Sequence, residues 1–207
     1  MTVTRGHVGV ACGLTVGGAV FTRLYRPWHL RWGSTDSEVD ATLPGDEIVD
    51  APTFAATRAV SIDARPADVW PWIVQLGFNR AGWYSYDLLD TVGRNGPVKI
   101  VSSLHHLRLG DLVPLGPGGG GLYVTGLVPG RWLLWGDKHG YTTWLWAIEP
   151  VGMSSSRLLT RVRSHYRWTH PEILFSLLLA EPFDFPMMRK CLLGIKHRAE
   201  SPHPPTG

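Results

Sequence analysis

Thr57-Arg-Ala-Val-Ser-Ile-Asp-Ala-Arg-Pro-Ala-Asp-Val-Trp70 is the stretch from which the fold can be read. Its first half, Thr57 to Ile62, alternates and is rich in β-branched residues, which predicts a strand. Asp63-Ala64-Arg65-Pro66 then breaks the pattern. Pro66 suits the first turn of a helix, where its missing N–H takes no bond away. Val69, Trp70, Ile73, Val74 and Leu76 form a broad apolar stripe that predicts a helix to about Leu76, ended by Gly77. Pro71 lies near the start of that helix, where it is tolerated.

Downstream, Asn79 at an N-cap and Gly93 past the end predict a second short helix over Ala81 to Val92. Five short runs follow: Leu112 to Leu115, Leu122 to Leu127, Trp132 to Trp135, Thr142 to Ile148 and Arg157 to His165. The turns between them are Gly116 to Gly121, Pro129-Gly130, Gly136 to Gly140 and Gly152 to Ser156. Connections this short force antiparallel pairing, because a parallel crossover needs a dozen residues or more. Pro171 to Ala180 is almost wholly apolar and reads as helix. After Pro182 and Pro186 an amphipathic stretch runs to about Glu200. It sets Met187, Met188, Cys191, Leu192 and Ile195 on one face and Arg189, Lys190, Lys196 and Arg198 mostly on the other. Ser201 to Gly207 holds three prolines and reads as a disordered tail.

Upstream, residues 27–56 read as an extended lead-in. It is acidic (Asp36, Glu38, Asp40, Asp46, Glu47, Asp50), turns at Pro44-Gly45, and lays a few apolar residues (Trp32, Val39, Leu43) on the domain as a solvated connector. Residues 1–26 form an apolar segment. Gly6 to Thr22 are seventeen residues without Lys, Arg, Asp or Glu, the lower limit for crossing a hydrocarbon core of about 30 Å. Gly9, Gly13 and Gly17 repeat at the spacing that lets membrane helices approach closely. Arg23, Arg26 and Arg31 after the segment, against Arg5 before it, would keep the rest of the chain on the cytoplasmic side. His7, Thr15 and five glycines lower its hydropathy. A membrane tether, a loosely packed terminus and a signal-like segment therefore all stand as readings.

The 207 residues, 44% apolar and 18% charged, are enough for one packed domain and leave little room for two. Ten Trp and an aromatic content of 11% exclude a disordered chain. Twenty-four Gly and sixteen Pro argue against a helical bundle. A net charge of +3 without any basic run makes nucleic acid an unsuitable partner. Cys12 and Cys191 are too few for a disulfide scaffold or a Cys-rich metal site, so the reducing cytoplasm is the expected compartment.

A strand, two short helices, a run of antiparallel strands and a long C-terminal helix make an α+β domain over residues 57–200. Its opening segment, together with Arg80-Ala-Gly-Trp-Tyr-Ser-Tyr-Asp87, Leu109-Gly-Asp-Leu-Val-Pro114, Trp144-Leu-Trp-Ala-Ile-Glu-Pro150 and Arg157-Leu-Leu-Thr-Arg-Val-Arg163, resembles the START/Bet v 1-like superfamily. That group is also called SRPBCC or polyketide cyclase-like, and the chain looks like a bacterial branch of it. The resemblance covers roughly Trp32 to Glu200. It implies a helix-grip fold, a curved antiparallel sheet wrapped around the last helix. It also implies one internal cavity for a lipid, polyketide, quinone or other aromatic molecule, with no metal or redox cofactor. Fold alone does not choose among these.

Strand alternation puts Trp144, Trp146 and Ile148 on one face, taken as inward, and Leu158, Thr160 and Val162 likewise. Arg161 and Arg163 then point outward and are expected to pair with Glu149. The other assignment would turn an arginine inward to grip a ligand carboxylate or phosphate. Trp83, Tyr84, Trp144, Trp146, Met188 and Leu192 are the expected cavity lining, with Asp87 as a polar anchor. On a helix, Trp83 and Asp87 would fall one turn apart. Tyr84 and Asp87 could alternatively move protons in a cyclase or aromatase reaction, or form a purely structural cluster with Asp87 held by Arg80 or backbone. Glu181 and Asp184 read as carboxylates at a helix start. His105-His106 and His165 with His170 lack H-E-x-x-H spacing. Pro117 to Gly121 lacks the Lys-Ser/Thr end of a phosphate loop, Ser85 is not in a G-x-S-x-G elbow, and Cys191 reads as buried and inert. A filled core serving protein–protein contact is the third functional reading.

Overall fold

The computed structural model describes residues 20–85, 99–165 and 181–201. A π-helical turn, Phe21–Tyr25, runs into α1 (Arg26–Leu30), and α2 (Asp36–Asp40) follows. Thr35 starts α2 with a capping box: its side chain accepts from Glu38 N while Glu38 accepts from Thr35 N. Then come β1 (Phe54–Ile62), α3 (Pro66–Val74), β2 (Leu112–Pro114), β3 (Gly121–Val128), β4 (Trp132–Gly136), β5 (Thr142–Val151), β6 (Ser155–Ser164) and α4 (Glu181–Glu200). The strands form one antiparallel sheet in the order β1-β6-β5-β4-β3-β2, so the first strand pairs with the last. This is an α+β, helix-grip arrangement, with α4 across the concave face.

The core lies between that face and the helices. Val69, Trp72, Ile73 and Val74 of α3 and Met188, Cys191, Leu192 and Ile195 of α4 bury with Leu133, Trp135, Trp146, Ile148 and Leu158 of the sheet. Trp72 takes the buried position expected for Trp70, which stays half-exposed. Gly194 lets α4 come close: a Cβ there would stand 2.4 Å from Tyr84 O.

Three expectations change. The helix expected over Ala81 to Val92 is absent at residues 81–85. There the chain turns, with a bridge from Gly77 to Gly82 and Tyr84 at φ 54°. The rest of that span lies outside the described residues, as do the apolar helix at 171–180, residues 1–19 and the tail from 202. Second, residues 27–56 are not an extended solvated connector. They hold two short helices, and residues 32–50 cross the open edge of β1 and lie over the outer face of the sheet. At the crossing, Ala59 N donates to Trp32 O and Ser34 Oγ to Thr57 O. Gly33, at φ 74°, is required there, since a Cβ would sit 2.1 Å from Ala59 O. Third, Arg161 and Arg163 face outward as expected but do not pair with Glu149. Arg161 and Arg163 reach Asp46, while Arg157, the register partner of Glu149, is taken by Glu38. Among the described residues no helix is long and apolar enough to cross a membrane.

Candidate ligand-binding interior

The register of β1, β4, β5 and β6 writes the inner face in two rows. One row runs Leu133, Trp146, Thr160, Arg58; the next runs Trp135, Trp144, Val162, Ala56. Trp83 adds a fourth indole from the turn after α3. Its ring stacks on Trp144, centroids 5.4 Å apart and 5° from parallel. Trp135 meets Trp144 edge-on at 5.3 Å and Trp146 at 5.9 Å, and Trp144 stacks on Trp146 at 5.4 Å. Three of these indoles stand on strands, and only Trp83 stands on a turn. Met188 and Leu192 of α4 join the same buried cluster. Thus Trp83, Trp144, Trp146, Met188 and Leu192 are brought together; Asp87 lies outside the described residues.

The indole N–H groups divide. Trp144 Nε1 donates to Thr160 Oγ1 at 2.8 Å, and Thr160 donates onward to Leu145 O at 3.0 Å. Trp135 Nε1 and Trp146 Nε1, both in fully buried residues, meet no acceptor among the described residues.

Tyr84 is on the same side but is differently occupied. Its hydroxyl donates to Trp72 O at 3.1 Å and accepts from Gln75 Nε2 at 2.7 Å. Burial pushes that phenol well above the ordinary tyrosine range. The Arg198 guanidinium lies over its ring, 4.4 Å from the centroid. Gln75 Oε1 in turn accepts from Val101 N. A hydroxyl held on both sides fixes the turn and is poorly placed to exchange protons with a substrate. Arg80, the expected partner of Asp87, donates to the carbonyls of Leu76, Val74 and Leu104.

At the other end of the inner face stands Arg58, which the sequence reading did not single out. Its Nε donates to His29 O at 2.9 Å and its Nη1 to Asp184 Oδ2 at 2.7 Å. Asp184 stands in the first turn of α4, at the helix start expected for it, and there is also the ion-pair partner of Arg58. Phe185 lies under the guanidinium, and the rings of Tyr25, Trp28, His29 and Trp32 gather round Phe185. Burial first, then the charges of Arg58 and Arg26, lower the His29 pKa to about 4, so this imidazole is neutral at pH 7. The signal that could have found Arg58 is its phase with Val60 and Ile62 in β1; Trp135 is likewise in phase with Leu133. Among the described residues no group of three or more His, Cys, Asp or Glu could hold a metal.

No family model matches the chain, and no curated protein matches it. Several solved structures are similar in shape. Protein CV1439 from Chromobacterium violaceum is 14% identical, with 72% of this chain and 98% of that one covered, at a TM-score of 0.43. The polyketide cyclase-like protein Cgl2372 from Corynebacterium glutamicum is 14% identical, with 69% and 88% covered, at 0.36. The Aha1 dimer from Colwellia psychrerythraea is 16% identical, with 72% and 97% covered, at 0.36. These are remote likenesses, and the helix-grip description rests on the strand order and on α4 itself.

Proposed function

We propose that this chain binds and carries a small hydrophobic molecule between its sheet and α4, against the wall formed by Trp83, Trp135, Trp144, Trp146, Met188 and Leu192. The observation that carries the reading is the pair of buried indole N–H groups, Trp135 Nε1 and Trp146 Nε1, that meet no acceptor among the described residues inside an otherwise apolar wall. Interior donors are normally paired, so two adjacent exceptions support a bound molecule that brings acceptors with it. Because Trp83 is the one indole carried by a turn, it is the part of the wall that yields to admit a ligand. Binding is preferred to acid–base chemistry because the Tyr84 hydroxyl is engaged by Gln75 and Trp72.

Native mass spectrometry of the full chain purified from cells, followed by solvent extraction, tests this. A discrete co-purifying small molecule is expected, and Trp144→Ala should lose it. A bare mass from both proteins would count against carriage. Tyr84→Phe should leave capture nearly intact, a change of about 1 kcal/mol at most. An enzyme using that hydroxyl would lose turnover by ~10² or more. The tether over residues 6–22 is a separate proposal, read by the membrane fraction of lysed cells.

A further inference from the structure

Resting on that reading, we propose that the ligand is a hydrophobic acid and that Arg58 holds its carboxylate. Arg58 is 1% exposed, and its Nη2 meets no acceptor among the described residues. A guanidinium carries five donors, and leaving buried ones unmet is costly. The group is also aimed. His29 O and Asp184 hold Nε and Nη1, and Phe185 supports the face, so the plane is fixed and Nη2 points in one direction.

The charge around it favours an anion. Asp184 offsets the charge of Arg58 at Nη1 alone, and 36% of its own side chain is exposed. His29 is neutral at pH 7, and Arg26 adds a second positive charge nearby. Besides Arg58 Nη2, Trp135 Nε1 and Trp146 Nε1 on the same face are buried donors that meet no acceptor among the described residues. These three donors call for acceptors. An alcohol or amine head group would add donors of its own, whereas a carboxylate only accepts.

The distance to the tryptophans sizes the body. Arg58 and Trp146 share a row with Thr160 between them, two strand spacings or ~10 Å. A medium-length acyl chain or a fused aromatic acid spans it.

Two matched pairs of probes test this on the full chain: dodecanoic acid with its methyl ester, and 2-naphthoic acid with its methyl ester. Binding is followed by tryptophan fluorescence. In the unmodified protein the acid of at least one pair should bind about tenfold more tightly than its ester. In Arg58→Gln that ratio should fall to near one while the ester still binds. Should Arg58→Gln fail to fold, Asp184→Asn decides: it removes the competing carboxylate, so the ratio must rise, and a ratio that stays or falls overturns the proposal. Acid and ester binding alike in the unmodified protein overturns the carboxylate site and leaves the carrier reading standing. Binding of neither pair overturns the site and counts against the carrier reading with it.

Discussion

Arg161 and Arg58 stand on neighbouring strands of one sheet, 4% and 1% exposed, yet they meet opposite surroundings. Arg161, on the outer face, has a partner for each of its donors. Nε reaches Thr57 Oγ1, Nη1 reaches Ala41 O and Asp46 Oδ2, and Nη2 reaches Glu38 O and Val39 O. All five acceptors are supplied by β1 and by the strap of residues 38–46. Arg58, on the inner face, meets one carbonyl and one carboxylate, and its Nη2 has no acceptor among the described residues. The contrast separates a charge built to hold the chain together from one held ready. A fully matched buried arginine gains nothing from a ligand, whereas a partly matched one does.

The contrast can be tested by measurements of decreasing size. Arg161→Leu removes the Arg161 donor from four acceptors and from Asp46, which keeps Arg163 and Leu43 N; it should cost about 3 kcal/mol in urea unfolding and leave any acid-over-ester preference unchanged. A preference that changed with Arg161 would erase the distinction between the faces. Next comes acid. The folded His29 pKa lies near 4, below the ordinary 6.5, so the unfolded chain takes up a proton that the folded chain refuses. Stability from this group is complete above about pH 6.5 and declines as pH falls toward 4, by on the order of 2 kcal/mol. Comparing urea midpoints at pH 7 and 4.5, His29→Leu should lose less than the unmodified protein. Tyr84→Phe removes two hydrogen bonds that tie the turn to Trp72 of α3 and to Gln75 at its end and should cost about 1 kcal/mol of stability by the same unfolding measurement. Smallest of all, Lys196→Met breaks a surface pair with Glu200 and should change stability by about 0.5 kcal/mol or less.

Much of the scaffold was legible because it obeys local rules. The alternation of β1, the Gly-rich hairpin turns and the 188, 191, 192, 195 stripe of α4 each place an element within a few residues of its observed bounds. The turn at 81–85 was misread because Trp83 and Tyr84 carry apolar bulk at a spacing a helix also allows. Asn79 at φ 59° and Gly82 at φ 72° instead steer the backbone through left-handed conformations. The strap was misread for a different reason. Its carboxylates look solvated in isolation; Asp36, Asp40, Glu47 and Asp50 are exposed, and only the arginines of β6, some 115 positions away, draw Glu38 and Asp46 into partial burial. Arg58 was visible as an in-phase residue of β1, but Asp184 lies 126 positions off, and no local pattern joins the two.

Pairing the first strand with the last also sets an order of events. Thr53 and Ser164, 111 positions apart, bond at one end of that seam. A chain emerging from synthesis therefore holds β1 and its strap without β6 until that strand has been made. Contacts so distant in sequence close slowly. The strap cannot lock before the arginines of β6 arrive, and α4 follows them, so both coverings of the sheet form in one late step. A chain stopped before β6 should consequently show neither layer and remain unfolded as a whole.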